Sequence, residues 1–181
     1  MRKITVSQFM TLDGVIEAPQ WTYKYWGDDI AQFKFNELFA HDAQLLGRVT
    51  YAGFAEAWPG RKDEQGYADR FNAMPKYVVS TTLTDPTWTN SHVISTNVVD
   101  EIKKLKEQPG QDILVFGSGT LVQTLIQNDL VDRYSLLIYP VTLSGGQRLF
   151  TEGSSTRLNL VSTQCFASGV IAVVYETARQ S

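Results

Sequence analysis

Along the chain, short β-branched runs alternate with segments in which apolar side chains recur every three or four positions. Ile4-Thr5-Val6-Ser7-Gln8-Phe9 predicts a first strand, followed by Thr11-Leu12 and the turn pair Asp13-Gly14. An irregular stretch reaching Gly27 and holding Trp21, Tyr23, Tyr25 and Trp26 predicts a long aromatic loop. Asp28 or Asp29 then caps a helix whose apolar positions Ile30, Phe33, Phe35, Leu38 and Phe39 keep a mostly helical spacing, ending near His41. Ala43-Gln44-Leu45-Leu46 reads as a buried strand running into Gly47-Arg48-Val49-Thr50, with a short helix over 51–57 stopped by Pro59-Gly60. A polar segment over 61–72 separates this unit from strands expected at 76–80 and 92–95.

Asn97 caps the next predicted helix, which carries Asp100 and Glu101 in its first turn and Lys103, Lys104 and Lys106 toward its end, as the macrodipole favours. After Pro109-Gly110 come a strand over 112–116, a tight turn at Gly117-Ser118-Gly119-Thr120 and a helix over 121–127. The remainder predicts strands over 134–139, 157–166 and 170–177, the last two joined by Ala167-Ser168-Gly169. The expected fold is α/β, with three layers: a mixed, mostly parallel central sheet covered by helices on both faces and ending in an antiparallel hairpin.

The 181 residues, 43% hydrophobic and 19% charged, suit a single domain over 1–181 with a sizeable core. Lys plus Arg total 16 against 19 for Asp plus Glu, and the net charge of −3 argues against nucleic acid as partner, so an anionic ligand must be held locally. No apolar run approaches membrane-spanning length, and the polar residues after Met1-Arg2-Lys3 predict a cytoplasmic first strand, not a signal peptide. One thiol, Cys165, and two separated histidines, His41 and His92, provide neither an internal disulfide nor a structural zinc site. Cys165 is expected to pack, His41 to close a helix as a dipole-favoured cation, and His92 to begin a strand.

The chemistry concentrates in two turns. Closely spaced glycines between strand and helix let backbone N–H groups approach an anion at a positive helix start, as Gly117-Ser118-Gly119-Thr120 allows, although the same residues also suit a plain tight connection. Gly47-Arg48-Val49-Thr50 has the same context and adds a guanidinium and a hydroxyl, donors for phosphate oxygens, unless Arg48 merely pairs with Glu56. Two such turns on one sheet edge suit a diphosphate, hence a dinucleotide. Val122 stands where the Rossmann fingerprint needs a third glycine, and no Walker lysine loop occurs.

In this order, Thr11-Leu12-Asp13-Gly14, Leu46-Gly47-Arg48-Val49-Thr50-Tyr51, Tyr77-Val78-Val79-Ser80, Phe116-Gly117-Ser118-Gly119-Thr120-Leu121, and Asp132-Arg133-Tyr134 leading to Pro140-Val141-Thr142-Leu143-Ser144-Gly145-Gly146 are specific. Over nearly its whole length the chain resembles the dihydrofolate reductase fold, most closely the branch related to the reductase domain of bacterial riboflavin biosynthesis. The resemblance implies NADPH across the sheet edge, its phosphates held by Gly47, Arg48, Thr50, Gly117, Ser118, Gly119, Thr120 and Leu121. It places Ser80 and Thr81 by the adenosine 2′-phosphate, with Lys62 or Arg70 as further positive donors. The loop bearing Trp21, Tyr23 and Trp26 corresponds to one that closes over the nicotinamide, though such aromatics equally fill cores and interfaces. Asp13 faces the substrate in similar reductases, and Asp29 stands where folate reductases bind the pterin; the two are the catalytic candidates, while Asp13 is equally a turn residue and Asp29 an N-cap.

The implied activity is hydride transfer from NADPH to a C=N or C=O carbon of a small heterocyclic or sugar-derived substrate, like that of (phosphoribosylamino)uracil reductases, with no metal required. Two alternatives stand beside it: an NADP(H)-binding sensor or partner module without turnover, and authentic folate reduction. Against the last, Met74-Pro75 replaces the arginine that grips the folate tail, and no zinc-deaminase signature marks a bifunctional riboflavin enzyme. Riboflavin-type relatives associate through their sheets, which implies a possible homodimer.

Overall fold

Strand β1 (Ile4–Thr11) alternates Ile4 and Val6 on one face with Thr5, Ser7 and Phe9 on the other, the period-two pattern of a strand covered on both sides. The computed structural model describes residues 1–178. After β1 the chain runs through a 3-10 segment (Pro19–Tyr25), α1 (Asp28–Phe39), β2 (His41–Gly47), α2 (Arg48–Ala57), α3 (Tyr67–Ala73), β3 (Lys76–Val79) and β4 (Ser91–Ile94). There follow α4 (Val98–Glu107), β5 (Asp112–Phe116), α5 (Gly119–Gln127), β6 (Arg133–Tyr139), β7 (Leu158–Cys165) and β8 (Ile171–Thr177). The eight strands form one sheet in the order β4-β3-β2-β5-β1-β6-β8-β7. All pairings from β4 to β6 are parallel, whereas β8 runs antiparallel to both β6 and β7. The expected dihydrofolate reductase-like, three-layer fold with its closing hairpin is the fold observed.

Two cores separate the layers. Leu38 of α1, Tyr51 of α2 and Phe71 of α3 pack with Leu46, Val78, Leu114 and Phe116 on one face. Ile102 and Leu105 of α4 and Leu121 and Leu125 of α5 pack with Ile4, Val6, Leu45, Ile113 and Val115 on the other. Neighbouring residues of β5 thus feed opposite cores. A third cluster, Ile30, Tyr139, Phe166 and Ala172, closes the space between α1 and the hairpin.

Several local expectations change. The segment read as polar contains α3, which buries Ala68 and Phe71; seven residues are too few to display a helical period. Asp63 caps it from outside, its carboxylate accepting from Tyr67 N at 2.9 Å and Ala68 N at 2.5 Å, and these bonds hold its pKa below the usual carboxylate value. Gly27, not an aspartate, occupies the N-cap of α1, with Asp28 and Asp29 in its first turn. Asn97 does stand at the N-cap of α4, but in a left-handed conformation (φ 49°) with no side-chain cap bond. His41 opens β2 instead of closing a helix; buried, it touches Thr5 Oγ1 at 2.9 Å and Glu37 O at 2.6 Å, and burial pushes its pKa down, favouring the neutral ring.

Lys76 of β3 is fully buried, its ammonium donating to the Asn72 and Thr89 carbonyls above the Trp88 ring. Burial pushes its pKa down to about 8. A lysine in the unfolded chain titrates near 10.4, so between about pH 8 and pH 10 the unfolded state holds a proton that the folded state has released. This contribution to stability should therefore grow as pH rises across that window and be lost as pH falls through 8. Urea midpoints of Lys76→Met should show a flatter rise than the wild type; parallel curves would contradict the assignment.

Candidate active site

β2 and β5 are parallel neighbours, so their C-terminal ends emerge side by side. The helices that follow leave to opposite faces, α2 to one core and α5 to the other, and adjacent strands whose helices diverge leave a crevice between them. Both glycine turns are shorter than expected, because α2 begins at Arg48 and α5 at Gly119.

The two corners are fastened to each other. Ser118 Oγ accepts from Gly47 N at 2.9 Å and donates to Phe116 O at 2.8 Å, while Thr50 Oγ1 accepts from Ser118 N at 2.9 Å. Gly117 and Ser118 are both left-handed, at φ 51° and 56°. A Cβ on Gly117 would meet Thr50 Oγ1 at 3.0 Å, so glycine is required there for its dihedral and for the close approach. Gln8 of β1 donates to Gly117 O, tying in the next strand. The first-turn N–H groups of α2 and α5 lack intrahelical acceptors, making this rim an anion cradle.

A cleft of about 930 Å³ opens over the corners. Gly47, Arg48, Thr50, Gly117, Ser118, Gly119, Thr120 and Leu121 all line it, as do Ser80 and Thr81 with Thr82, Ile94 and Val98 at the β3–β4 end. Ser80 Oγ accepts from Thr82 N and Leu83 N at 3.2 and 2.9 Å, shaping that turn. The opposite end is walled by Ser7, Phe9, Ile16, Ala18, Lys34 and Gln147. Arg48 is exposed and, among the described residues, has no ion pair, so the alternative of an Arg48–Glu56 bridge is not realised.

The remaining expected donors and substrate residues lie elsewhere. Arg70 donates to His41 O at 2.6 Å, at the far end of β2, and Lys62 sits in an exposed loop outside the cleft lining. Asp13 accepts from Thr11 Oγ1 at 2.6 Å, from Leu143 N at 3.3 Å and from Ser144 N at 2.8 Å, which holds its pKa at about 2. Asp29 accepts from Ile30 N at 2.8 Å and Ala167 N at 3.2 Å. Both carboxylates fasten loops, and neither lines the cleft. Trp21 packs edge-on to Tyr139 at 5.2 Å, Tyr23 is exposed, and Trp26, 50% exposed, stands edge-on to Phe9 at 6.2 Å. Cys165 is exposed on β7 rather than packed, and His92 stacks on Tyr77.

Sequence reasoning overlooked Lys34 and Glu37, whose side chains are buried beside Ser7. The available signal was spacing: Ile30, Lys34 and Leu38 share the buried stripe of α1, so a lysine interrupts an apolar face.

The family model of the RibD C-terminal domain matches residues 2–172. A Bacillus subtilis (strain 168) protein, YyaP, is 32% identical over 178 residues, covering 96% of this chain and 94% of that protein. Among solved structures, a Shewanella sp. PV-4 protein named for riboflavin biosynthesis superposes with a TM-score of 0.78 at 22% identity, covering 98% and 99% of the two chains. A pyrimidine reductase-like protein from Corynebacterium diphtheriae gives a TM-score of 0.74 at 14% identity, covering 99% and 93%.

Thr50→Val should strand the Ser118 N–H and cost about 1–3 kcal/mol, read as a lower urea midpoint with an unchanged m-value. Gly117→Ala should cost more, since it adds backbone strain to the same contact. Equal midpoints for wild type and Thr50→Val would show that the fastening carries no stability.

Proposed function

The chain belongs to the RibD C-terminal domain family, and from that membership and the cleft we propose that the protein is an NADPH-dependent reductase acting on a small heterocyclic or sugar-derived substrate. The observation carrying this reading is the joined pair of corners, two helix starts locked side by side at one rim. The fit to a dinucleotide follows from reach. The cleft extends from the ends of β3 and β4 across β2 and β5 to β1, four strand spacings or roughly 19 Å. Gly117 and Gly119 let the chain turn this tightly: Thr50 Oγ1 fills the space beside the first, 3.0 Å from where a Cβ would stand, and the Gln147 side-chain amide fills that beside the second.

When bound, NADPH supplies the hydride delivered to a polarised C=N or C=O carbon. The chain's own residues bind and orient. Gly47, Arg48, Thr50, Gly117, Ser118, Gly119, Thr120 and Leu121 hold the pyrophosphate, with the Arg48 guanidinium adding a charge-assisted contact. Ser80 and Thr81 receive the adenosine ribose and its phosphate. By strand order the nicotinamide then lies at the β1 end, where Phe9, Ile16 and Ala18 exclude water. Trp26 supports the Phe9 ring there, and Trp21 anchors the aromatic loop on Tyr139. Asp13 and Asp29 act as scaffold residues outside the cleft lining, the first holding the 143–144 loop and the second the hairpin turn.

Titration with NADPH, followed by its fluorescence, should show saturable binding, and pyrimidine or related ring acceptors should then consume the cofactor. Arg48→Ala should weaken binding by about 1.5–3 kcal/mol, roughly tenfold or more. Unchanged affinity would remove Arg48 from the site, and no binding by the wild type would end the proposal. Binding without consumption by any acceptor would favour a binding module.

A further inference from the structure

The face of β1 turned toward α1 carries Thr5, Ser7 and Phe9, and α1 sends an ion pair into this layer. The Lys34 and Glu37 side chains are 5% and 6% exposed. Lys34 Nζ donates to Ser7 Oγ at 2.6 Å and to Glu37 Oε2, and lies 4.8 Å from the Phe116 ring centroid and 5.5 Å from that of Phe9. An ammonium has three N–H donors, and the third finds no acceptor among the described residues.

The pair is oriented. Lys34 lines the cleft and Glu37 does not, so the positive member of the pair is the one that borders the ligand space. Behind it, Glu37 Oε1 is buried with no hydrogen-bond partner among the described residues. Burying two charges costs desolvation that their attraction often fails to offset, and an unsatisfied carboxylate oxygen adds to that cost, so stability alone does not account for this arrangement. The other charged residues of the lining are Arg48, at the phosphate corner beyond β5, and Glu17, whose carboxylate accepts from Gln147 N at 2.9 Å.

We propose that Lys34 is the specificity-determining residue for the acceptor: its ammonium, backed by Glu37 and Ser7, receives an anionic or carbonyl oxygen on the acceptor ring at the β1 end of the cleft and disfavours a cationic group there. The inference rests on the reading of this cleft as a cofactor and acceptor site. It narrows the substrate to rings bearing an electron-rich oxygen, as opposed to protonated imines or amines. The flanking Phe9 and Phe116 rings keep the ammonium from bulk water, which strengthens its attraction for such an oxygen.

Three ring probes of nearly one shape test it: benzoate, benzamide and benzamidinium, none a hydride acceptor, titrated calorimetrically into the protein with and without NADPH. Wild type should bind benzoate roughly tenfold or more tighter than benzamide, and benzamidinium most weakly. Lys34→Met should erase that ranking, Lys34→Arg should keep it, and Glu37→Gln should strengthen benzoate binding. The proposal is overturned if benzamidinium matches benzoate, if none of the probes binds, or if Lys34→Met preserves the ranking. Should Lys34→Met not fold, the wild-type ranking and Lys34→Arg decide. NADPH binding measured in parallel separates the two readings: intact cofactor binding with a flat ranking defeats only the role of Lys34, whereas absent cofactor binding defeats the proposed function.

Discussion

The rest of the site depends on one hydrogen-bonded junction, in which Ser118 Oγ meets Gly47 N and Thr50 Oγ1 meets Ser118 N. Without it, two strand ends would each lead to a helix with independent orientation. With it, the starts of α2 and α5 become one surface whose donors converge. The junction also explains the local chemistry of the turn: Ser118 must sit left-handed to present its hydroxyl to the neighbouring strand, and Gly117 must lack a Cβ for Thr50 to reach across. The left-handed Ser118 thus persists because the surrounding bonds over-determine it.

Electrostatically, the cleft is built from partial charges and a few well-separated ionic groups, in keeping with a chain of net charge −3. Helix starts and the exposed Arg48 provide the positive character at the corners, and the buried Lys34 provides it at the β1 end. Acidic residues near the site are spent on scaffolding. Asp13 binds the 143–144 loop and Asp29 the hairpin turn, both outside the cleft lining, while Glu17, itself in the lining, binds Gln147 N, so the three carboxylates each fasten a loop.

Much of this was legible in the sequence because parallel strands are continuous apolar runs and their turns are marked by glycine. Leu45-Leu46-Gly47 and Val115-Phe116-Gly117 announced both corners, and the terminal β-branched runs around Ala167-Ser168-Gly169 announced the hairpin. What stayed hidden was the direction of side chains over long sequence separations. Nothing local says that Asp13 meets Ser144 or that Arg70 turns toward His41. The helix α3 was hidden by its brevity, and Lys34 because a lysine at one helical position reads as surface until its neighbours on the same stripe, Ile30 and Leu38, are weighed with it.

The divergence of α2 and α5 to opposite faces has a mechanical side. The two helical layers pack on opposite faces of the sheet, and the starts of α2 and α5 are joined at its rim. A molecule gripped by both starts acts as a clasp between the layers, so its occupancy and the free energy of folding are thermodynamically coupled, and the rim where it binds is also where the architecture is most open to being tightened from outside.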